Sequence, residues 1–181
     1  MRRLLLEIGI SSGLAVLLFY SLSFWLFTIP TVEGYGMNPA FSDQDRLFVS
    51  KVAKIRRFSL IYFKEPHKKN SPSFRRVIGL PGEIITYKND ELLVDGELTV
   101  EHFLKRQLYQ ARQEERLWTE DFSSYQIDGN KGGRIPEGKY LVLGDNRAFA
   151  TDSRYYGLVD EKNVIGIVHY RLLPLHEMTK F

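Results

Sequence analysis

The side chains of this 181-residue chain that could take part in breaking a bond gather around three stretches. The first is Gly34-Tyr35-Gly36-Met37-Asn38-Pro39, where two glycines permit backbone angles that other residues avoid and Pro39 holds Asn38 extended. The second is Arg75-Arg76-Val77-Ile78-Gly79-Leu80-Pro81-Gly82, and the third is Gly144-Asp145-Asn146-Arg147 followed by Asp152-Ser153-Arg154 and Gly157. The hydroxyls beside them belong to Tyr35, Ser42, Ser73 and Ser153. To attack a carbonyl, any of these needs a neutral base within hydrogen-bond reach. The histidines, His67, His102, His169 and His176, lie in no motif that connects to those hydroxyls. The absence of cysteine excludes disulfides, thiol catalysis and thiolate metal sites, and no His/Asp/Glu spacing resembles a metal centre. Neither a metal nor a cofactor is expected.

The elements that must position these stretches begin with a membrane segment. No charged residue occurs from Ile8 to Ile29, and about 20 apolar residues cross the hydrocarbon core as a helix. Arg2 and Arg3 precede the run and Glu33 is the first charge after it, so the positive-inside bias puts the N-terminus in the cytoplasm and the body outside. A cleaved signal peptide would be shorter and would end in small residues, whereas Phe24-Trp25-Leu26-Phe27 stands at the exit. Residues 1–30 therefore read as cytoplasmic tip and anchor, and 31–181 as one extracytoplasmic domain. A net charge of +3 is too mild for a nucleic-acid partner, and no basic face interleaved with aromatics stands out. Membrane lipid is the partner that the anchor implies.

Beyond Pro39 the pattern is mainly β. Arg46–Ser50, Leu60–Phe63, Arg75–Leu80 and Ile84–Tyr87 are short runs of strand formers, as are Lys139–Leu143 and Val164–Leu172. Leu92-Leu93-Val94, Asp95-Gly96 and Leu98-Thr99-Val100 predict a hairpin on an Asp-Gly turn. Glu101–Arg116 has no glycine or proline and places Phe103, Leu104, Leu108 and Ala111 on one face, predicting a helical excursion from the sheet. Lys51–Arg57 and Lys64–Asn70 read as basic or polar loops, solvated or touching anionic lipid or wall polymer.

In this order, after one N-terminal anchor, the three stretches resemble the type I signal peptidases of Gram-positive bacteria, from the anchor to about Gly166. The resemblance implies a body of antiparallel sheets and a serine-lysine dyad. In that family a serine before Met attacks the peptide, a lysine before Arg-Val-Ile-Gly acts as base, and a second serine orients the lysine. Here those positions hold Gly36, Arg75 and Ala150. A guanidinium does not shed its proton at physiological pH. Arg76, Asp145, Asp152 and Arg154 match the residues that brace the family's site, and Gly34, Tyr35, Met37 and Pro39 are expected to line its peptide groove.

The functional expectation is therefore a non-enzymatic, signal-peptidase-like membrane protein that binds an exported polypeptide. Signal-peptidase-like proteins without the dyad assist pilin polymerisation in Gram-positive pilus clusters, so the resemblance suggests a pilin as partner and a role in pilus assembly. Two alternatives stand beside it. One is an active signal peptidase with a non-standard nucleophile, and the other is an inactive subunit associated with itself or with an active signal peptidase.

Overall fold

The computed structural model describes residues 2–66, 68 and 71–181. The predicted loop residue His67 lies outside them. The chain opens with helix α1, Arg2–Leu26, whose stretch Gly9–Leu26 is long and apolar enough to cross a membrane and contains no buried residue. The absence of charge from Ile8 onward and the absence of an inward-facing stripe are two views of one fact, since this helix has lipid rather than a protein core to match.

The strands follow in order: β1 Phe27–Thr28, β2 Arg46–Ser50, β3 Leu60–Lys64, β4 Pro72–Gly79, β5 Ile85–Lys88, β6 Glu91–Val94 and β7 Glu97–Thr99. Helix α2, Lys105–Gln113, comes next, then β8 Phe122–Ser123, β9 Lys139–Leu143, the short helix α3 Ser153–Tyr156, β10 Val159–Asp160, β11 Val164–Leu173 and β12 Thr179–Lys180. Two antiparallel sheets result. The larger has the order β1-β2-β11-β3-β4-β9-β10, with β12 against β11, and the smaller has the order β7-β6-β5-β8. The fold is mainly antiparallel sheet with few helices, as the sequence implied.

Local chemistry explains the turns of the smaller sheet. Asn89 and Asp90 both take positive φ between β5 and β6, as do Asp95 and Gly96 between β6 and β7, the pairwise left-handed geometry that tight hairpins require. The helical excursion is shorter than predicted. Glu101 leaves the helix surface for a buried ion pair, a 3₁₀ turn covers His102–Leu104, and α2 spans only Lys105–Gln113. Gln107 shares the buried face with Leu104 and Ala111, while Leu108 is only half-buried.

Three apolar clusters hold the sheets. One beneath the 34–39 segment comprises Val32, Met37, Phe41, Leu47, Val49, Leu60, Phe74 and Val168. A second, around Ile78, Ile85 and Leu141, joins the two sheets, and a third lies around Ile61, Val77 and Val142. Burying an aliphatic or aromatic side chain of this kind stabilises by about 1.5–3 kcal/mol. The first cluster therefore fixes the backbone of residues 34–41 through Met37 and Phe41.

Candidate functional site

Residues 36, 75 and 150, far apart in sequence, converge. A Cβ placed on Gly36 would lie 3.3 Å from Arg75 Nη1 and 3.4 Å from its Cζ and Nη2, so the guanidinium stands where a residue-36 side chain would point. Gly36 has an ordinary φ, and it is the crowding by Arg75 that favours a bare Cα there; of the two glycines only Gly34 takes a positive φ. Gly144 is a glycine because of close approach. A Cβ at that position would collide with the Ala150 methyl and the Gly36 carbonyl. The backbone N–H of Asn146 donates to that carbonyl at 3.2 Å and Asn146 Nδ2 donates to the Tyr35 carbonyl at 3.1 Å, tying the first stretch to the third.

Arg75 is held by backbone oxygens and not by a carboxylate. Its Nε and Nη2 donate to the Thr151 carbonyl at 3.0 and 2.6 Å, and its Nη1 donates to the Phe74 carbonyl at 2.6 Å. A guanidinium has five N–H groups, so two remain uncommitted by these bonds. The Tyr156 hydroxyl is buried beside the Arg75 guanidinium. Burial raises its pKa well above the ordinary tyrosine value, and the Arg75 charge opposes that only in part.

The surrounding frame is a set of buried ion pairs. Arg76 grips Asp145 at both oxygens, Nε to Oδ1 at 2.8 Å and Nη2 to Oδ2 at 2.6 Å, and stacks 3.9 Å from the Phe103 ring centre. Asp152 accepts from the Gly144 N–H at 3.0 Å and from Arg154 Nε and Nη2, both at 2.8 Å; Arg154 Nη2 also donates to the Arg147 carbonyl at 2.7 Å. Bidentate arginine–carboxylate pairs of this kind fix both distance and orientation.

One part of the frame was missed in the sequence. Arg147 is fully buried and donates to Glu101 at 2.5 Å, to Thr119 Oγ1 at 2.9 Å, to the Tyr87 hydroxyl at 3.1 Å and to the Gly144 carbonyl at 2.9 Å. Burial works against the Arg147 charge, and Tyr87 and Glu101 more than offset it, so its pKa lies above the ordinary arginine value. Burial pushes the Tyr87 phenol up as well, against the lowering pull of Arg147. The signal for this cluster was an acid opening a helical pattern that lacks any capping serine or threonine.

The expected groove residues divide. Gly34, Tyr35 and Pro39 are exposed, with Tyr35 at 66%, whereas Met37 is 3% exposed and belongs to the core beneath. Met37 is thus a correction to the expected lining: it anchors the segment and faces away from solvent. The Asn38–Pro39 bond is cis.

Among the hydroxyls, Ser153 is buried and accepts from the Val142 N–H at 2.9 Å, so it is spent on holding α3 to β9. The Ser42 backbone N–H donates to Asp45 at the far end of the 34–45 segment. Ser73 differs. Its Oγ donates to Glu65 Oε2 at 2.7 Å. Ser73 and Arg75 are two apart on β4, and alternate residues of a strand share a face. β9 pairs with β4 only from Arg76 onward, while β3 covers the other edge of 72–76, so the edge at 72–75 has no partner strand among the described residues. Among the described residues none of His102, His169 and His176 hydrogen-bonds Ser73 or Arg75, and no group of three or more metal-ligating side chains converges.

A cleft of about 870 Å³ is lined by Pro39, Ala40, Phe58, Arg76, Phe103 and Phe181, among others. It lies on the Arg76 side of β4 and so on the opposite face from Ser73 and Arg75.

An antiparallel body behind one apolar helix, with residues 36, 75 and 150 brought together beside a braced Gly-Asp-Asn loop, is the architecture of the signal peptidase I class. The family Signal peptidase, peptidase S26, matches residues 5–173, and the chain belongs to that family. It is 42% identical over 141 residues to Signal peptidase I V of Bacillus subtilis (strain 168), covering 76% of this chain and 80% of that protein. It is 34% identical over 181 residues to Signal peptidase IB of Staphylococcus aureus, covering 98% and 94%. The crystal structure of a signal peptidase I from Enterococcus faecalis V583 superposes with a TM-score of 0.57 at 34% identity, covering 64% of this chain and 97% of that one.

These relatives overturn the expectation that the chain is no enzyme. They are named signal peptidases, and the family is enzymatic. The reading of inactivity rested on three side-chain types and on hydroxyls judged one at a time. It did not see Ser73 paired with a carboxylate on the face of Arg75.

Proposed function

We propose that this chain is a signal peptidase of the outer membrane face, hydrolysing exported precursors with Ser73 as nucleophile and Glu65 as general base. The observation that carries this reading is the 2.7 Å bond from Ser73 Oγ to Glu65 Oε2, on the strand face shared with Arg75 and beside an unpaired edge. A nucleophile and base must lie within hydrogen-bond reach, and this pair does.

The substrate adds as an extended strand along residues 72–75, where backbone groups bind it whatever its side chains. Ser73 Oγ attacks the scissile carbonyl carbon while Glu65 takes the hydroxyl proton. The Arg75 charge, two residues along the same strand face, favours the oxyanion that forms, a positive charge fixed before the reaction begins. The tetrahedral adduct collapses, the amine leaves with the proton from Glu65, and water then hydrolyses the acyl-serine with Glu65 again as base. In this reading Gly36 is bare because the Arg75 guanidinium occupies the space that a side chain there would take.

Residues 1–30 act as anchor and cytoplasmic tip and 31–181 as the working domain, with α1 holding the body at the depth where a precursor emerges. The partner is an exported polypeptide, of which a pilin is one kind. The full chain in detergent micelles, incubated with a signal-peptide-bearing precursor, is expected to release the mature polypeptide. Ser73→Ala is expected to abolish release and Ser73→Thr to retain part of it. Release unaffected by Ser73→Ala, or none from the unaltered chain, overturns the reading.

A further inference from the structure

The register of the larger sheet decides where the loop after β2 lies. β1 and β2 are antiparallel, with Phe27 opposite Ser50 and Thr28 opposite Val49, so the chain leaving β2 travels back toward the end of α1. Lys51 arrives there. Its N–H donates to the Leu26 carbonyl at 2.8 Å, its Nζ donates to the Phe24 carbonyl at 2.7 Å, and the same ammonium lies 4.8 Å from the centre of the Phe24 ring. Phe24 and Leu26 are in the last turn of the stretch Gly9–Leu26 that is apolar enough to span. The next residue, Val52, is 69% exposed, and Trp25 is 73% exposed at the same level. Lys54 and Arg56 follow, both exposed, and neither side chain has an ion-pair or hydrogen-bond partner among the described residues. Of the residues lining the hollow that Lys51 and Lys54 share, Glu161 is the one carboxylate.

This composition and height suit one occupant. A valine turned outward at the end of a spanning helix, next to an exposed tryptophan, matches the boundary between headgroups and acyl chains, where amphipathic side chains concentrate. Cations just outside that boundary meet phosphate, and each basic residue near an anionic leaflet favours contact by roughly fivefold.

We infer that the Lys51–Arg56 loop is a second membrane contact, with Val52 in the interface and Lys54 and Arg56 on the phosphates of anionic phospholipids. The inference rests on α1 being the anchor. With two points of attachment, the body is held at one tilt and the unpaired edge of β4 at one height above the membrane.

The chain has no cysteine, so a single introduced one can be labelled without competition. Val52→Cys carrying an environment-sensitive fluorophore is read in the full chain, reconstituted in nanodiscs of phosphatidylcholine alone or mixed with phosphatidylglycerol. Brighter, blue-shifted emission is expected with phosphatidylglycerol. It should fall back in about 1 M salt, where the screening length is about 3 Å, and in the Lys54→Gln/Arg56→Gln variant. Those two side chains bond to nothing else, so the variant leaves the fold unchanged. Equal emission in both lipids, or no change in the variant, overturns the proposal. So does emission that follows added soluble poly(glycerol phosphate) instead of the headgroup, which would assign the loop to wall polymer. A label at Leu17→Cys reports the anchor separately. If it reads as water-exposed, the anchor fails; if it reads as lipid-buried while Val52→Cys stays insensitive, only the loop contact fails.

Discussion

Restoring the dyad tests most sharply how Arg75 controls the pocket. The perturbation is Gly36→Ser with Arg75→Lys and Ala150→Ser. Gly36→Ser alone puts a Cβ 3.3 Å from Arg75 Nη1, tighter than ordinary contact, and the guanidinium that must yield is held by three bonds to the Thr151 and Phe74 carbonyls. The new hydroxyl then faces a group that cannot accept its proton. Its gain is therefore at most about tenfold. Arg75→Lys shortens the side chain, relieves the contact and supplies an amine, which unlike a guanidinium can give up its proton. Losing the three bonds costs about 1–3 kcal/mol of stability, since much of this contact is solvent-screened. Nucleophile, base and orienting group act as a unit whose removal costs several powers of ten in rate. Together the three changes should raise turnover of a fluorogenic signal-junction peptide by about 10³-fold or more, a barrier lower by about 4 kcal/mol. Turnover by the triple variant should also survive Ser73→Ala, because the reaction now runs through position 36. If Gly36→Ser alone equals the triple variant, the reasoning about Arg75 is refuted.

Other consequences are open to direct measurement. Glu65→Gln keeps a hydrogen-bond acceptor for Ser73 but removes the base, and should lower kcat about 10²–10⁴-fold with little change in KM. Glu101→Ala strands a fully buried Arg147 and should cost about 3–5 kcal/mol in urea unfolding, whereas the paired change Glu101→Leu with Arg147→Met should cost far less. Gly144→Ala, with the Ala150 methyl and the Gly36 carbonyl in its way, should lower stability by about 1–3 kcal/mol and shift the 36–39 backbone, visible as altered amide exchange there. Tyr87 and Tyr156 are held above the unfolded tyrosine value of 10.0, so the stability they contribute is intact below pH 10 and lost as pH rises beyond it. A denaturation midpoint flat up to pH 10 and falling above it, with two tyrosines ionising only on unfolding, is the expected result.

Much of the framework was legible because it is local. Hairpins declare themselves through Asn-Asp and Asp-Gly turns, and an uncharged run declares a spanning helix. The Arg76–Asp145 pair was legible only through the family's motifs, as a pattern without geometry. What the sequence hid were contacts set by tertiary packing and strand register. Glu101 looked like the start of a surface helix, yet it meets Arg147 in the interior, where Tyr87 bonds to both and Thr119 bonds to Arg147. Met37 looked like groove lining because it neighbours Gly36, but Val32 and Phe41 draw it under the sheet. Ser73 and Glu65 stand on either side of a loop, and only the β3–β4 register brings hydroxyl and carboxylate together. The non-enzymatic expectation, which weighed each hydroxyl alone, is reversed by the relatives, which are named signal peptidases.

The most direct test of the account is to find the residue that becomes acylated. The full chain is incubated with a signal-peptide precursor, quenched in acid during turnover, digested, and its peptides are weighed. The account predicts the signal-peptide acyl group on the peptide that contains Ser73 and on no other, lost in Ser73→Ala. An adduct on Tyr35 or Ser42, or precursor cleaved with no adduct at Ser73, would contradict it.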